Sequence, residues 1–502
     1  MPPNIAPAAR RVGDPRLLVF LATFGLCLAI RLSTLGNLAL WFDEVITADA
    51  AALPWPDLVA DRLINGHFPT YFAAIKALGL AGASEFWLRL PSAVLDSVAG
   101  GLVALVALTL SGRIGAVAAA LIYALYPALI QYGQEARPYA LMLAFLTVAI
   151  TGQMALLEAR GSPRRQAALA TLGTIGAALA VPAGIVSVAM QHLALLVCGF
   201  GSFPRAQKRA WAAHVAITWA AIFAATLFLL PALLEQAAKP VGLMKWQSHI
   251  AFGRRLQDAF NETYGLAVPR DVDRFLPAEW TSPLALALLA LMAIGLIANR
   301  NRATHRMLAV SAFLTPLAFL LLAAVSASAG RYLIGMLPAA VLLAAAGVAA
   351  LLADRGMRPA VGATLALLLA GLSLQALDML VSPRKFDWRP VAAFLHDKGV
   401  RDTTILADAP PVEKGLRHYA PPADGLTYDT LDPDRDRIAT LWAKTADRPI
   451  AFLVIGSYQA IPAAIARDAT VCAFPLGDVK FVMVAHDASL IPAPLQGCPP
   501  VE

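Results

Sequence analysis

The chain has 502 residues, 59% with hydrophobic and only 15% with charged side chains, and a mean hydropathy of +0.65. A soluble fold cannot bury that much apolar surface, so lipid is the solvent for most of the chain and an ordinary soluble enzyme is excluded. The net charge of +7 falls in short basic clusters between apolar runs, the pattern that orients a membrane protein rather than the single patch of a nucleic-acid binder.

Arg10, Arg11 and Arg16 precede an apolar run over 17–37. No small-x-small cleavage site follows before Trp41, so this run reads as a retained first helix and not a signal peptide. Windows of about 20 residues mark further spans near 88–110, 113–131, 138–157, 165–181, 183–200, 211–232, 281–298, 306–326, 331–353 and 359–379. The expected fold is therefore a polytopic α-helical membrane protein of about eleven spans. Val181-Pro182-Ala183-Gly184 is either a turn between two helices or a kink in one. Alternate loops carry Arg113, Arg160/Arg164/Arg165, Arg205/Lys208/Arg209, Arg300/Arg302/Arg306 and Arg355/Arg358, which places them in the cytoplasm. The opposite loops, 41–87, 132–137, 233–280 and 327–330, are richer in acids, aromatics and prolines and face the periplasm or its equivalent.

Residues 1–380 thus form a transmembrane domain. Residues 381–502 change to alternating charged and apolar segments and form a soluble α/β domain on the outward side. Thr404–Leu406, Ile450–Ile455 and Val479–Val484 read as strands, and Arg389–Lys398 and Arg435–Thr445 as helices. Ala409-Pro410-Pro411 and Tyr419-Ala420-Pro421-Pro422 read as turns. None of the four cysteines has metal-ligand spacing. Cys472 and Cys498 share the outward compartment, which allows a disulfide between them, with two buried thiols as the alternative.

The first outward loop opens with Leu40-Trp41-Phe42-Asp43-Glu44, an acid pair just beyond a membrane helix. Such a pair suits a general base or a ligand for a divalent cation, and equally a pair of solvated loop acids. Successive helical residues diverge by about 100°, so the two carboxylates are expected to differ in role. Asn65-Gly66-His67-Phe68-Pro69-Thr70-Tyr71 leads into an apolar stretch too short to span, read as an interfacial helix. His67 beside it either binds a metal or phosphate or satisfies the turn. Arg89, in Glu85-Phe86-Trp87-Leu88-Arg89-Leu90-Pro91-Ser92, either grips an anion or snorkels. Gln131-Tyr132-Gly133-Gln134-Glu135-Ala136-Arg137-Pro138-Tyr139 puts Glu135 and Arg137 at a helix start, where free amides favour phosphate. A capping pair between those two is the plainer reading. Arg31 and Arg331, the latter followed by Tyr332, are further cations at membrane depth. With Arg89 and Arg137 they make four arginines on the outward side, against the positive-inside tendency, and such a cluster calls for an anion.

In this order, with Arg331-Tyr332 and Leu337-Pro338 closing it, these motifs resemble the GT-C glycosyltransferases of the protein mannosyltransferase and aminoarabinose transferase type. The resemblance covers about the first 350 residues. It departs at His67-Phe68-Pro69-Thr70, where similar proteins more often carry a second proline or leucine. It implies a polyprenyl-phosphate-linked sugar donor and a hexosyl or pentosyl transfer to a lipid, glycan or protein acceptor on the non-cytoplasmic face. It also implies a first-loop acid acting on the acceptor. Asp43 takes that role, with Glu44 in support. Arg31, Arg89, Arg137 and Arg331 hold the phosphate, and His67, Glu135, Tyr139 and Tyr332 complete the substrate site. A divalent cation is compatible with the acid pair. A lipid or solute transporter and a noncatalytic assembly protein are the rival readings. A transporter fits the charges poorly, because they collect at one face rather than at the midplane.

The orientation yields a direct test in a background with the native cysteines replaced by serine. Asp408→Cys is expected to react with an impermeant thiol reagent in intact cells and Gly161→Cys to stay unlabelled; the opposite pattern reverses the topology.

Overall fold

The computed structural model describes residues 14–238, 253, 281–325, 330–354, 356, 358–381, 387–407, 410–422, 425–430, 450–455, 470–476, 479–485, 489, 491 and 495. Contacts divide the chain into two units, one of Met1–Leu35 with Ala50–Ser382 and the other of Gly36–Asp49 with Pro383–Glu502. The second boundary lies next to the composition change near 380. The first was not anticipated, because it takes the opening of loop 41–87 out of the membrane unit and joins it to the C-terminal one.

The membrane unit is helical: α1 (Pro15–Leu32), α3 (Trp55–Ile64), α4 (Thr70–Ala77), α5 (Glu85–Leu125), α6 (Pro127–Gly133), α7 (Tyr139–Leu157), α8 (Pro163–Ala180), α9 (Ala183–Gly199), α10 (Arg205–Ala238), α11 (Thr281–Ala298), α12 (Ala303–Val325), α13 (Leu337–Ala353) and α14 (Arg358–Val381). Helix α2 (Phe42–Ala52) crosses the unit boundary. Among the described residues, six helices are long and apolar enough to cross a bilayer by length and composition, and two shorter ones, Ala183–Gly199 and Pro283–Ala298, are apolar as well. Each of the eleven expected segments has a helix over it. The spans expected at 88–110 and 113–131 appear as one element, α5, interrupted at Gly112 (φ 69°, ψ −163°). Only glycine takes that conformation without steric cost, so the turn expected before Arg113 is a one-residue break. Val181-Pro182 separates α8 from α9 as a turn. The chain is an integral, multi-pass membrane protein.

Small residues set a close helix crossing between α7 and α8. A Cβ on Gly152 would strike the backbone of Ala170, and one on Gly173 that of Ala149, so α7 and α8 touch backbone to backbone. This close approach gives the dispersion contact that drives helix association where lipid removes the hydrophobic term.

Two buried polar networks hold the bundle. In the first, Arg31 donates from Nε to Asp96 Oδ2 (2.8 Å), from Nη1 to the Ala124 carbonyl (2.7 Å) and from Nη2 to the Tyr123 carbonyl (3.3 Å). Tyr123 Oη donates to the other oxygen of Asp96 (3.0 Å). Both charged side chains are fully buried. The second network has a single direction. The indole of Trp219 can only donate, so His192 Nδ1 accepts its hydrogen bond (3.0 Å) and His192 carries its proton on Nε2. That proton faces His214 Nε2 at 2.9 Å, which leaves the His214 proton on Nδ1, pointing at Thr171 Oγ1 (2.9 Å). Thr171 in turn donates to the Ala167 carbonyl (2.8 Å). This chain ties α8, α9 and α10 together.

The second unit carries a five-stranded mixed sheet in the order β2-β1-β3-β5-β4, with β1 (Thr404–Ala407), β2 (Thr427–Thr430), β3 (Ile450–Ile455), β4 (Thr470–Leu476) and β5 (Val479–Ala485). Strand β1 is parallel to β2 and β3, and β5 is antiparallel to β3 and β4. Helices α15 (Arg389–Asp397) and α16 (Pro410–Tyr419) belong to this unit. Its core packs Trp388, Val391, Leu395, Leu416, Phe481 and Met483 together. The turn expected at Pro410-Pro411 is the start of α16, because a proline in the first helical turn gives up no hydrogen bond. The helix expected over 435–445 and most of loop 233–280 lie outside the described residues. So does Cys498, and with it the expected disulfide.

Removing one member of a buried ion pair leaves the other charge uncompensated, at a cost of about 3–5 kcal/mol. Asp96→Ala is therefore expected to lower the thermal unfolding midpoint in detergent, and Arg31→Met added to it to recover most of the loss. An unchanged midpoint in the single variant would contradict the pairing.

Candidate active site

The expected site residues divide between the two units. In the second unit, Trp41 precedes the first residue of α2, and its backbone N–H donates to Glu44 Oε2 (3.3 Å). Glu44 is thus the third residue of the helix reaching back to the cap, one half of a capping box, and it is fully buried. Asp43 sits one residue earlier and is only half-buried; its own carbonyl accepts from Thr47 Oγ1 (3.2 Å). The two adjacent carboxylates therefore differ in environment.

The segment leading into α2 is fixed by the C-terminal part of the same unit. The Leu40 N–H donates to Tyr419 Oη (2.6 Å), and Arg389 Nη2 donates to the Asn37 carbonyl (2.7 Å). Asp387 holds Arg389 in place, accepting from its Nε (2.7 Å), its Nη2 (2.6 Å) and its backbone N–H (3.1 Å). Burial pushes the Asp387 carboxyl up, but the hydrogen bonds and charge of Arg389 outweigh it and hold the group below the ordinary carboxylate range.

In the membrane unit, two of the expected residues lie by the ring of Phe72, which is itself fully buried. Arg137 lies over it at 5.9 Å and His67 is tilted against it at 6.2 Å. A residue not anticipated, Arg62, lies nearer at 4.9 Å and pairs with Asp61. Two buried guanidinium groups near one aromatic ring, that of Arg62 already donating to Asp61, combine cation–π attraction with planar hydrogen-bonding forks of the kind that suit carboxylate or phosphate. The backbone here is pinned from two sides. Tyr71 Oη and Ser92 Oγ are 2.7 Å apart, and Ser92 Oγ donates to the Arg137 carbonyl (3.3 Å). The Arg137 N–H closes a tight turn onto the Glu135 carbonyl (2.7 Å).

Glu135 is buried and accepts from Gln131 Nε2 (3.3 Å). Tyr139, the first residue of α7, packs edge-on against Tyr132 with ring centroids 5.1 Å apart. Arg89 is not a snorkelling anchor: it is buried in the second turn of α5 and donates to the Leu35 carbonyl (2.9 Å). Arg331 and Tyr332 lie on the 3₁₀ turn Gly330–Met336, where Arg331 sits 5.6 Å from the Tyr332 ring and Tyr332 stacks on Phe319 at 6.4 Å. This turn packs against α7, α9, α12 and α13. Arg31, expected among the phosphate ligands, departs from that expectation: all three of its nitrogens are engaged by Asp96, Tyr123 and Ala124, with no accessible surface. Gln134 Nε2 donates to the Arg31 carbonyl (2.8 Å) and to Thr34 Oγ1 (2.9 Å), so Arg31 and its neighbours hold the turn that carries Glu135 and Arg137. Among the described residues, no three His, Cys, Asp or Glu side chains converge as a metal-binding group.

No protein-family profile matches the chain. No curated protein does either. Solved structures do resemble it. ArnT from Cupriavidus metallidurans in its apo state aligns with a TM-score of 0.57 at 15% identity, covering 94% of this chain and 98% of that one. The same protein bound to undecaprenyl phosphate aligns at 0.58 and 14% identity, covering 95% and 99%. The chain has a GT-C-like fold over nearly its whole length.

The Asp387 carboxyl, lowered in the folded protein, contributes stability that is fully present above its unfolded pKa of about 3.9 and is lost as pH falls through the folded value. Asp387→Asn is expected to unfold more readily than the parent at pH 7, and the gap to close as pH falls below about 4. A gap that persists unchanged at low pH would contradict the ionic role.

Proposed function

We propose that the chain is a membrane glycosyltransferase that moves a monosaccharide from a polyprenyl-phosphate donor to an acceptor hydroxyl on the non-cytoplasmic face. The whole-length likeness to a structure holding undecaprenyl phosphate supports the donor class. One observation carries the assignment of the base: of two adjacent acids, Glu44 is buried and committed to capping α2, whereas Asp43 is half-buried at the helix start.

The reaction is a single displacement. The acceptor oxygen attacks the anomeric carbon, the bond from that carbon to the phosphate oxygen breaks, and the polyprenyl phosphate leaves with the bonding electrons. Asp43 takes the acceptor proton. Arg137, Arg62, Arg89 and Arg331 hold the donor phosphate and stabilise the charge it gains, the largest single contribution expected in such a reaction. His67, Glu135, Tyr139 and Tyr332 orient the sugar or the arginines. Arg31 is reassigned from ligand to support of the turn beneath Arg137. The soluble domain lies on the outward side in this reading, with the acceptor drawn from lipid, glycan or protein.

The test replaces one atom pair. Asp43→Asn keeps the size of the side chain but has no carboxylate to take the proton, so turnover is expected to fall by about 10²–10⁴-fold while donor lipid still binds. Glu44→Gln retains an acceptor for the Trp41 amide and is expected to cost less. Full activity in Asp43→Asn, measured with purified protein and a panel of polyprenyl-phosphate sugars, would remove Asp43 from the mechanism.

A further inference from the structure

Contacts to the C-terminal part of the second unit bracket Asp43 and Glu44 along the chain. Upstream, Arg389 holds the Asn37 carbonyl and Tyr419 holds the Leu40 N–H. Ala39, 1% exposed, is part of the hydrophobic core built on Trp388, Val391 and Leu395. Immediately before the acid pair, Lys414 Nζ lies 5.7 Å from the Phe42 ring. Downstream, His418 Nδ1 stands 3.8 Å from Asp49 Oδ1.

Three of these groups come from α16. Lys414 and His418 are four residues apart on one face, and Tyr419 follows. Helix α2 has 11 residues, below the length at which an isolated helix is stable in water, so its start needs outside support. The Asp387–Arg389 pair anchors that support, since it leaves the guanidinium one fixed direction in which to reach Asn37. A domain that served only to bind acceptor would not need to reach the chain on either side of the acid pair.

We infer that the soluble domain positions the catalytic acid, with Tyr419 and Arg389 as positioning residues that act through the start of α2. The inference rests on the assignment of Asp43 as the base. Tyr419 touches no reacting atom; its hydroxyl fixes the Leu40 amide, three residues before Asp43. A small displacement of a catalytic group costs rate rather than affinity.

The experiment uses the full-length protein in detergent or nanodiscs. Tyr419→Phe removes only the hydroxyl that accepts from Leu40. Hydrogen–deuterium exchange of the peptide covering residues 37–48 is expected to speed up. Turnover is expected to fall by about tenfold, with KM for the donor lipid within about twofold of the parent. Arg389→Lys keeps the charge, loses the fork that bridges Asp387 and Asn37, and is expected to behave alike. The decisive readout is coupling. In an Asp43→Asn background, Tyr419→Phe should cost no further rate, because the group it positions is already gone.

Equal losses in both backgrounds, unchanged turnover in Tyr419→Phe, or unchanged exchange would each overturn the inference. Full activity in Asp43→Asn alone would instead overturn the underlying assignment, so the two failures are separable. Should Tyr419→Phe lower the unfolding midpoint, Arg389→Lys supplies the same comparison in a protein whose core is untouched.

Discussion

A charge carried into the membrane end of a helix bundle must find a partner there, and the Arg31–Asp96 pair is the one on which the rest of this arrangement depends. It joins the last turn of α1 to α5, and through the carbonyls of Tyr123 and Ala124 it fixes the end of α5. A Cβ on Gly133 would crowd both Asp96 and Arg31, so the glycine lets the next turn of the chain lie directly on the pair. That turn carries Glu135 and Arg137. The pair adds little net stability over an apolar alternative, but breaking it is costly. Its consequence is a single permitted placement for the residues above it.

On that support the membrane unit brings buried cations together. Arg62 and Arg137 each lie near the ring of Phe72, and the Tyr71–Ser92 contact fixes the backbone of Arg137. In the reaction we propose, such preorganisation would matter because donors aimed in advance at a developing charge need no rearrangement as it forms. The acid pair is organised separately, by a capping box from within and by the soluble domain from without.

Much of this was legible in the sequence because membrane helices announce themselves by hydropathy. The eleven expected segments overlie helices, and Gly112 marks the break that hydropathy alone could place only roughly. The motifs around Asp43, His67, Arg89 and Arg137 were visible as polar residues at the ends of apolar runs. Asp96, a lone acid inside a span, offered the same kind of signal but was passed over, so Arg31 was read as a phosphate ligand and not as its partner. Arg62 was hidden because an arginine in the last turn of a short amphipathic helix looks like solvent-facing charge. The His192–His214 chain was hidden because histidine in an apolar run has no spacing rule that reveals its partner. The union of Gly36–Asp49 with the C-terminal unit had no local signal at all. It depends on contacts such as Leu40 to Tyr419, 379 residues apart, which no periodicity encodes.

In the function we propose, this protein breaks the bond between a sugar and a polyprenyl phosphate. The most direct measurement is mass spectrometry of the lipid products after purified protein is incubated with polyprenyl-phosphate-linked sugars and a membrane extract as acceptor. Free polyprenyl phosphate is expected to be released, matched by the appearance of one sugar residue on an acceptor in the extract. Donor lipids that stay intact across hexose and pentose headgroups, in a protein that still binds them, would contradict it.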